Sequence, residues 1–289
     1  MSEITQAVLT NRAVLRASGA DVHELLQRLV TGNLDKVAAG DAVYSLLLTP
    51  QGKFLFDFFM VRDPADEAAF LLDCAASRVA DLQKRLTMYK LRADAAFDDV
   101  SGDYVVRAIW GDAPDAGIPA GSVRFTDPRS PLLGVREIVP GAEVSVVVGD
   151  APSYRDFAVS LGVPDGAVDI LADKDFPIEC NLDLLNGIDF KKGCFVGQEV
   201  ASRAHRKGKA RKRLVIGRID GTPPAAGDDV MMGDAKVGSV AGVSGGMALA
   251  MVFLDRVAKA GGTQANAGGA TLALEVPPYA AFSLEGETA

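Results

Sequence analysis

Nine consecutive residues in the second half of the chain combine side chains that can do chemistry. Residues 191–199 read Lys-Lys-Gly-Cys-Phe-Val-Gly-Gln-Glu, so that Cys194 has the cation Lys192 two positions before it. Neighbouring cations can lower the pKa of a thiol, and the resulting thiolate is a nucleophile or a metal ligand. The alternative is that Cys194 is a small buried hydrophobic residue, the usual environment of a free cysteine. Solvent exposure decides between the two, so the sequence leaves both open.

The charge of the chain is unevenly distributed around this segment. The whole chain has a formal net charge of −8, whereas residues 191–213 hold nine Lys/Arg and one acidic residue, a local balance of +8. The remainder therefore carries −16, which is −8 minus +8. A single basic segment on an acidic protein favours binding of an anion there over coating of nucleic acid. A solvated charged loop is the alternative.

A second candidate residue is a carboxylate inside an apolar run. Asp57 interrupts residues 54–60, which are otherwise Phe, Leu and Met. Burying a carboxylate is costly unless it is paired or hydrogen-bonded. Asp57 therefore either faces solvent on an alternating strand or is a site residue whose charge is kept for a ligand.

The composition restricts the class of protein. The chain has 289 residues, 48% of them hydrophobic, enough for one large or two ordinary domains. Its three cysteines form no Cys-x-x-Cys pair, and with only two histidines they assemble no zinc-type cluster. Unpaired cysteines indicate a reducing compartment. The start of the sequence has neither a basic region nor an apolar stretch of the signal-peptide type, and no run of 18 apolar residues occurs. These features predict a cytoplasmic protein without a membrane partner.

The elements that must position these residues fall into two groups. In the first group, alternating and helical patterns predict strands and helices in the order of a split βαβ unit. They include a helix starting at Asp21, a hairpin over residues 43–49 and 54–61, a loop over 111–131 and a short helix over 181–186. The fold class is α+β, with antiparallel-rich sheets in a first region that spans residues 1–210 and comprises one subdomain or two.

The second group consists of short strands separated by glycine-rich turns, without helical periodicity. This pattern predicts a small closed antiparallel β-barrel as a C-terminal domain over residues 211–289. The predicted strands are 213–219, 229–232, 236–243, 248–253 and 271–276.

Three motifs together resemble one known family. They are Pro177-x-Glu179-x-Asn181, Asn186-Gly187, and Lys192-Gly193-Cys194-Phe195-x-Gly197-Gln198-Glu199 followed by Arg203. This combination resembles YgfZ-type proteins, which are folate-binding relatives of the glycine-cleavage T protein (aminomethyltransferase) and act in iron–sulfur cluster assembly and repair. The resemblance covers nearly the whole chain.

The resemblance implies a cofactor, tetrahydrofolate, and a set of partners. Glu179, with Asn181 in the same motif, corresponds to the position that hydrogen-bonds the pterin ring, since a carboxylate accepts from its amino and ring N–H groups. The cations Arg203 and Arg206 would attract the anionic tail of the folate. The implied partners are iron–sulfur client enzymes, including tRNA-modifying ones, or assembly proteins.

The resemblance also implies roles for the cysteine segment. Cys194, activated by Lys192, would contact a cluster, a cluster-bearing client or a one-carbon unit. Gln198 and Glu199 would orient the loop and are also candidates for binding the folate. One cysteine is too few to hold an iron–sulfur cluster within a single chain.

Two alternatives remain beside this hypothesis. The first is a true folate-dependent aminomethyltransferase, in which Asp57 is the electrostatic group near the folate amine. Asp57 aligns with one of two adjacent aspartates in the T protein, but its neighbour here is Phe56, and this departure weakens the case for aminomethyl transfer. The second is nucleic-acid binding through residues 203–213. Direct binding is not expected, because no aromatic residue is interleaved there for base stacking.

Overall fold

The computed structural model describes residues 5–37, 41–111, 118–141, 151–206 and 210–285. The chain divides into two compact units, each built from segments that are discontinuous in sequence. Unit 1 comprises Met1–Gln51, Leu55–Tyr154 and Asn186–Gln198. Unit 2 comprises Gly52–Phe54, Arg155–Leu185 and Glu199–Ala289.

The first sheet of unit 1 has five strands in the order β3-β4-β5-β2-β6. Strand β2 pairs antiparallel with both β5 and β6, and β4 pairs antiparallel with β5. Apolar residues of two helices pack with those of the strands into one core, because each helix buries a single face. The elements are β2 (Arg12–Ser18), α1 (Val22–Leu29), β3 (Val43–Leu48), β4 (Phe54–Asp63), β5 (Asp66–Ala75), α2 (Val79–Lys90) and β6 (Ala96–Asp99).

A second antiparallel sheet completes unit 1, in the order β1-β7-β9-β8. Its strands are β1 (Thr5–Val8), β7 (Tyr104–Trp110), β8 (Val123–Thr126) and β9 (Val135–Pro140). The loop predicted over residues 111–131 is thus wrong at β8. This strand has only four residues, too few to show an alternating pattern between glycine- and proline-rich neighbours.

A buried ionic network ties strands of the two sheets of unit 1 together. Asp73 on β5 accepts from Arg12 at 2.6 Å and from Arg136 of β9 at 2.7 Å. Arg136 also donates to Asp127 at 3.0 Å, and Arg129 donates to the same carboxylate at 2.7 Å. Each of these charges has an opposite partner, which is the condition under which charged side chains tolerate burial.

The barrel of unit 2 is closed in the order β10-β13-β12-β11-β14-β15. This confirms the predicted fold class, two antiparallel-rich sheets with helices followed by a small C-terminal barrel. The helix α5 and the strand β14 were not predicted, because each is too short to show a period. The elements are β10 (Lys212–Asp220), β11 (Asp229–Met232), β12 (Ala235–Ser244), β13 (Met247–Phe253), α5 (Leu254–Ala260), β14 (Gln264–Ala267) and β15 (Ala270–Glu275). Two helices come before the barrel in the chain, α3 (Ala151–Ser160) and α4 (Gln198–Arg206).

A glycine on β12 makes room for an ion pair of unit 2. Arg155 donates to Asp169 at 2.7 and 3.0 Å. A Cβ at Gly242 would lie 1.8 Å from Oδ1 of Asp169. Any larger residue at position 242 would therefore displace the carboxylate, so the glycine fixes how the segment Arg155–Leu185 packs on the barrel within this unit.

Three local predictions have different outcomes. The short helix over 181–186 is wrong, because Asn181 and Asn186 have φ of 60° and 58° and the segment forms turns. The helix predicted to start after Asp21 exists. The carboxylate of Asp21, however, accepts from the backbone N–H of Asp94 instead of capping the helix N-terminus. The sequence also shows an apolar run over residues 144–148, which lies outside the described residues. No helix among the described segments is both long and apolar enough to cross a membrane.

Candidate functional site

The cysteine segment is anchored to the end of α1 within unit 1. The hydroxyl of Thr31 donates to the carbonyl of Gly187 at 2.5 Å, and the backbone N–H of Asp189 donates to the carbonyl of Thr31 at 3.0 Å. Thr31 is fully buried. Thr31 is itself hydrogen-bonded to Leu46 of β3, so the loop starts from a fixed point beside the five-stranded sheet.

Lys192 provides the second attachment. Its ammonium donates to the carbonyl oxygens of Val30 at 2.7 Å and of Gly32 at 2.5 Å, just after α1 ends. The residue is 7% exposed. Burial lowers the pKa of Lys192 to about 8, and the carboxylates of Asp189 and Asp35 offset this only in part.

Cys194 is exposed, two residues beyond this buried lysine. The other two cysteines are buried. Burial raises the pKa of Cys74 to about 12 and that of Cys180 well above its usual value. Among the three cysteines, all of which the structure describes, Cys194 alone presents a thiol that a reagent, metal or partner can reach from solvent. The interpretation of Cys194 as a buried hydrophobic residue is therefore wrong.

The residues beside Cys194 give the loop its shape. Phe195 is buried, and Val196 packs against the core of unit 1. Gly197 has φ of 82°, which favours glycine. A Cβ at Gly193 would meet nothing within 4 Å. Gly193 therefore leaves open space beside Cys194, whereas position 197 requires glycine because its backbone is in the left-handed region.

The predicted residues that follow lie on helix α4 (Gln198–Arg206). Arg203 donates to Glu199 at 2.7 Å, and both side chains are exposed. Arg206 donates to the backbone carbonyl of Ser202 at 3.3 Å. The charge of Arg203 is thus balanced by its own helix neighbour, while Gln198 stands at the start of the helix.

Glu179 and Asn181 belong to unit 2 and differ from the cysteine loop in their environment. Glu179 is half-buried, 3.8 Å from the ammonium of Lys212, and its pKa is raised by burial against the opposing effect of that cation. Asn181 is fully buried and donates to the carbonyl of Leu214 at 2.8 Å. Its Oδ1 has no hydrogen-bond partner among the described residues. A buried acceptor without a donor requires an explanation, and a bound ligand would supply one.

Asp57 is buried in unit 1, so the interpretation that it faces solvent is wrong. Its Oδ2 accepts from the hydroxyl of Tyr44 at 3.0 Å. Burial, together with the charge of Asp57, raises the pKa of Tyr44 well above its usual value, so the phenol remains a donor. Sequence reasoning did not identify Tyr44, and its place in the apolar strand β3 gave no signal of this role.

The described residues contain no cluster of three or more His, Cys, Asp or Glu side chains that could hold a metal ion. A metal centre built on Cys194 would need further ligands from elsewhere. Cysteine thiolates are the usual ligands of iron–sulfur clusters, typically four to a cluster.

Comparison with known proteins assigns the fold first. Residues 9–117 match the family described as GCVT N-terminal domain, and residues 211–282 match the family described as CAF17, C-terminal beta-barrel domain. The crystal structure of the glycine cleavage system aminomethyltransferase T from Bartonella henselae superposes with a TM-score of 0.74 at 16% identity. The similarity covers 96% of this chain and 86% of that one. The fold is that of the aminomethyltransferase class.

Sequence relatives define the family more narrowly. The mouse iron–sulfur cluster assembly factor IBA57 is 31% identical, over 76% of this chain and 67% of its own length. The homologue from Mycosarcoma maydis is 34% identical over 76% of this chain. The chain belongs to the IBA57/CAF17 family of iron–sulfur cluster assembly factors. It spans just over half of the fungal relatives, 59% of the Mycosarcoma maydis protein and 52% of the one from Neurospora crassa.

The comparison corrects one prediction. A cytoplasmic location was expected from the sequence, and this is wrong, because the mouse, human and fungal relatives are all named as mitochondrial proteins. The three unpaired cysteines indicated a reducing environment, and that property does not identify one compartment. The narrower resemblance to YgfZ-type proteins stays a prediction.

Proposed function

We propose that this protein supports the assembly or repair of iron–sulfur clusters in client enzymes through the thiol of Cys194. The exposed sulfur on a loop whose base is held by the buried ammonium of Lys192 carries this proposal. The IBA57 relatives, which are named as iron–sulfur cluster assembly factors, support it. Clients that modify tRNA belong to the same proposal.

A single exposed thiol can act as one ligand of a cluster that a second protein also holds. Deprotonated, Cys194 can supply one thiolate to a cluster, and the remaining ligands must come from a donor or client protein. The open space at Gly193 allows another protein surface to approach the sulfur closely. The cluster is then cargo shared between two chains during transfer.

A transfer assay tests this role. The protein is mixed with a carrier loaded with a [2Fe–2S] cluster and with an apo client, and client loading is followed by visible circular dichroism. Cys194→Ser should slow loading at least tenfold. The matched control is Ser202→Ala on α4, a substitution close in sequence that retains the thiol. Equal loading rates with wild type and Cys194→Ser would refute the role of the cysteine.

Folate is the proposed cofactor, and the residues of unit 2 fit it. The carboxylate of Glu179 and the unpartnered Oδ1 of Asn181 are both acceptors, and the pterin edge presents amino and ring N–H donors. Burial strengthens such hydrogen bonds. When bound, tetrahydrofolate would supply one-carbon or redox chemistry, and these two side chains would hold and orient its ring. Arg203 and Arg206 are the proposed contacts of its anionic tail.

A binding titration separates folate binding from cluster transfer. Tetrahydrofolate is titrated by calorimetry into wild type, Glu179→Gln, Asn181→Ala and Cys194→Ser. The first two variants should weaken binding, by roughly tenfold or more where a buried hydrogen bond is lost. Cys194→Ser should bind normally. Unchanged affinity in both unit 2 variants would refute the proposed cofactor contacts.

The same preparation tests the alternative of aminomethyl transfer. Asp57, hydrogen-bonded to Tyr44, is the residue that this reaction would use. Turnover with an aminomethylated lipoyl carrier that is lost in Asp57→Asn would favour the transferase. Folate binding without such turnover favours the assembly role.

A further inference from the structure

Helix α2 turns two large apolar side chains away from the core of unit 1. Leu82 and Leu86 are buried in that core, whereas Met88 is 62% exposed and Leu91, the residue that ends the helix, is 86% exposed. Residues at i, i+4 and i+7 lie on one side of a helix. Lys84, Met88 and Leu91 therefore form a ridge opposite the buried face, and nothing in the chain covers its apolar part.

The backbone at Leu91 makes this exposure costly. Leu91 has φ of 49° and ψ of −103°, and the backbone N–H of Ala93 donates to the carbonyl of Lys90 at 2.8 Å. These angles are close to those of the first central residue of a type II′ turn, a position that strongly favours glycine. A leucine there strains the backbone, and its side chain buries little apolar surface in return. Packing of another molecule against Leu91 would explain why the position carries a large side chain.

The sequence around this ridge is basic. Residues 82–93 contain four Lys/Arg and no Asp/Glu, in a protein of net charge −8. Lys90 donates to a backbone carbonyl of the following loop at 2.8 Å. The other three side chains are exposed and make no ion pair or hydrogen bond within the described part of the chain. Together with the two apolar residues they form the α2 surface, which consists of Lys84, Arg85, Met88, Leu91 and Arg92.

Acidic residues border the α2 surface and limit the size of a complementary ligand. Asp81 precedes it on α2, and Asp94, Asp98 and Asp99 follow it in the turn and on β6, the strand that contacts α2. All four are exposed. An anionic membrane presents one extended charged plane, so it would meet these carboxylates together with the cations. A protein can place its acidic side chains against the cations alone, and such charge complementarity selects partners.

We propose that the α2 surface binds an amphipathic helix of a partner protein, one that carries acidic residues beside an apolar stripe. The ridge has the spacing with which one helix packs into the grooves of another. Met88 and Leu91 enter the apolar stripe of the partner, while the three cations face its carboxylates. Methionine and arginine are also among the residues enriched at protein interfaces.

A designed helical peptide is a suitable probe. It has about 20 residues, enough to form a helix, with leucines at alternating spacings of three and four and a glutamate on each side of the leucine stripe. Repulsion between its glutamates keeps the peptide from pairing with itself. The fluorescein-labelled peptide is titrated with the full chain and followed by fluorescence anisotropy. Two control peptides have glutamine for each glutamate, or the same composition in an order that disperses the leucines, and both should bind at least tenfold more weakly.

Leu91→Gly separates binding from folding. Glycine relieves the backbone strain, so the midpoint of urea denaturation should stay the same or rise, while loss of the apolar anchor should weaken peptide binding about tenfold. The control is Leu171→Gly, which removes a leucine of unit 2 that is 58% exposed and should leave the affinity within about twofold of wild type.

A charge reversal tests the cations separately. Lys84→Glu should weaken peptide binding about tenfold. Its matched control is Lys259→Glu, which makes the same charge change at an exposed lysine on α5 in unit 2 and should leave the affinity within about twofold of wild type.

Three results would overturn the proposal. Unchanged affinity in Leu91→Gly would exclude the apolar anchor. Equal weakening by Lys84→Glu and Lys259→Glu would show attraction to net charge alone. Absence of peptide binding, together with sedimentation on phosphatidylserine vesicles that Leu91→Gly abolishes, would assign the α2 surface to a membrane. None of these variants changes Cys194 or the proposed folate contacts, so failure here leaves the proposed function untouched.

Discussion

The buried ionic network and the cysteine loop, both in unit 1, differ in the partners of their buried charges. In the network, burial alone would raise the pKa of Asp127, but Arg129 and Arg136 outweigh it and lower the pKa to about 2. In the loop, the partners of Lys192 are neutral carbonyl oxygens, and burial lowers its pKa to about 8. Matched charges hold sheets together at every physiological pH, whereas a charge without a matching ion stays titratable near neutrality. The titratable lysine, Lys192, is two residues from the exposed thiol of Cys194.

The largest expected change in the free energy of unfolding is in the buried ionic network. Asp127→Asn leaves Arg129 and Arg136 buried without this counter-charge, and should reduce the free energy of unfolding by about 3–5 kcal/mol. Urea denaturation at pH 7 measures it. The control is Asp66→Asn, which removes an exposed partner of Arg16 and should cost less than about 1 kcal/mol. Similar costs for both variants would contradict the structural role of the network.

The same carboxylate has a defined pH signature. Because the pKa of Asp127 in the folded state is below its unfolded value, its contribution is present above pH 3.8 and is lost as the pH falls towards 2.

An intermediate loss of stability is expected at Lys192, at the base of the cysteine loop. Lys192→Met keeps most of the side-chain volume but leaves the carbonyls of Val30 and Gly32 without their donor, at a cost of about 1–3 kcal/mol. Lys191→Met, an exposed neighbour, is the control and should change little. Urea denaturation of the two variants, side by side, gives the difference.

The pH dependence sharpens this prediction. Between pH 8 and 10.5 the folded state binds fewer protons at Lys192 than the unfolded state, so this group makes the free energy of unfolding rise with pH in that window. The rise should be absent in Lys192→Met. A parallel pH profile in wild type and variant would show that the ammonium is not buried.

The smallest effect on stability is expected at the thiol itself. Cys194→Ser should change the free energy of unfolding by less than about 0.5 kcal/mol, because the residue is exposed. Iodoacetamide should modify one thiol per native chain in wild type and none in the variant, as counted by mass spectrometry. Rapid modification of Cys74 or Cys180 in the folded protein would contradict the difference in exposure between these two thiols and Cys194.

The predictable part of the fold is the part with local periodicity. Strand β11 appears with the bounds expected from its pattern, residues 229–232, since alternation is visible within a few residues. Turn geometry is different. The segment at Asn181 has the composition of a helix, and only its φ of 60° shows that it is not one.

The candidate site was predictable in residue type but not in exposure or partners. Cys194 and Lys192 are two positions apart in the motif, yet the lysine contacts a backbone carbonyl 160 positions away, at Gly32. Asp57 likewise depends on Tyr44 from another strand. Such contacts arise from long-range packing, which residue spacing does not encode.

The interleaved division of the chain has a consequence for its synthesis. Unit 1 receives its last segment, Asn186–Gln198, only after Arg155–Leu185 of unit 2 has been made. At ordinary translation speeds roughly 2 to 9 s separate residues 154 and 198 on the ribosome. During that interval the strands made before residue 154 lack the hydrogen bonds from Lys192, and the exposed thiol of Cys194 is synthesised only after those strands. A premature stop codon before position 186 would therefore release an incomplete first unit as well as removing the barrel.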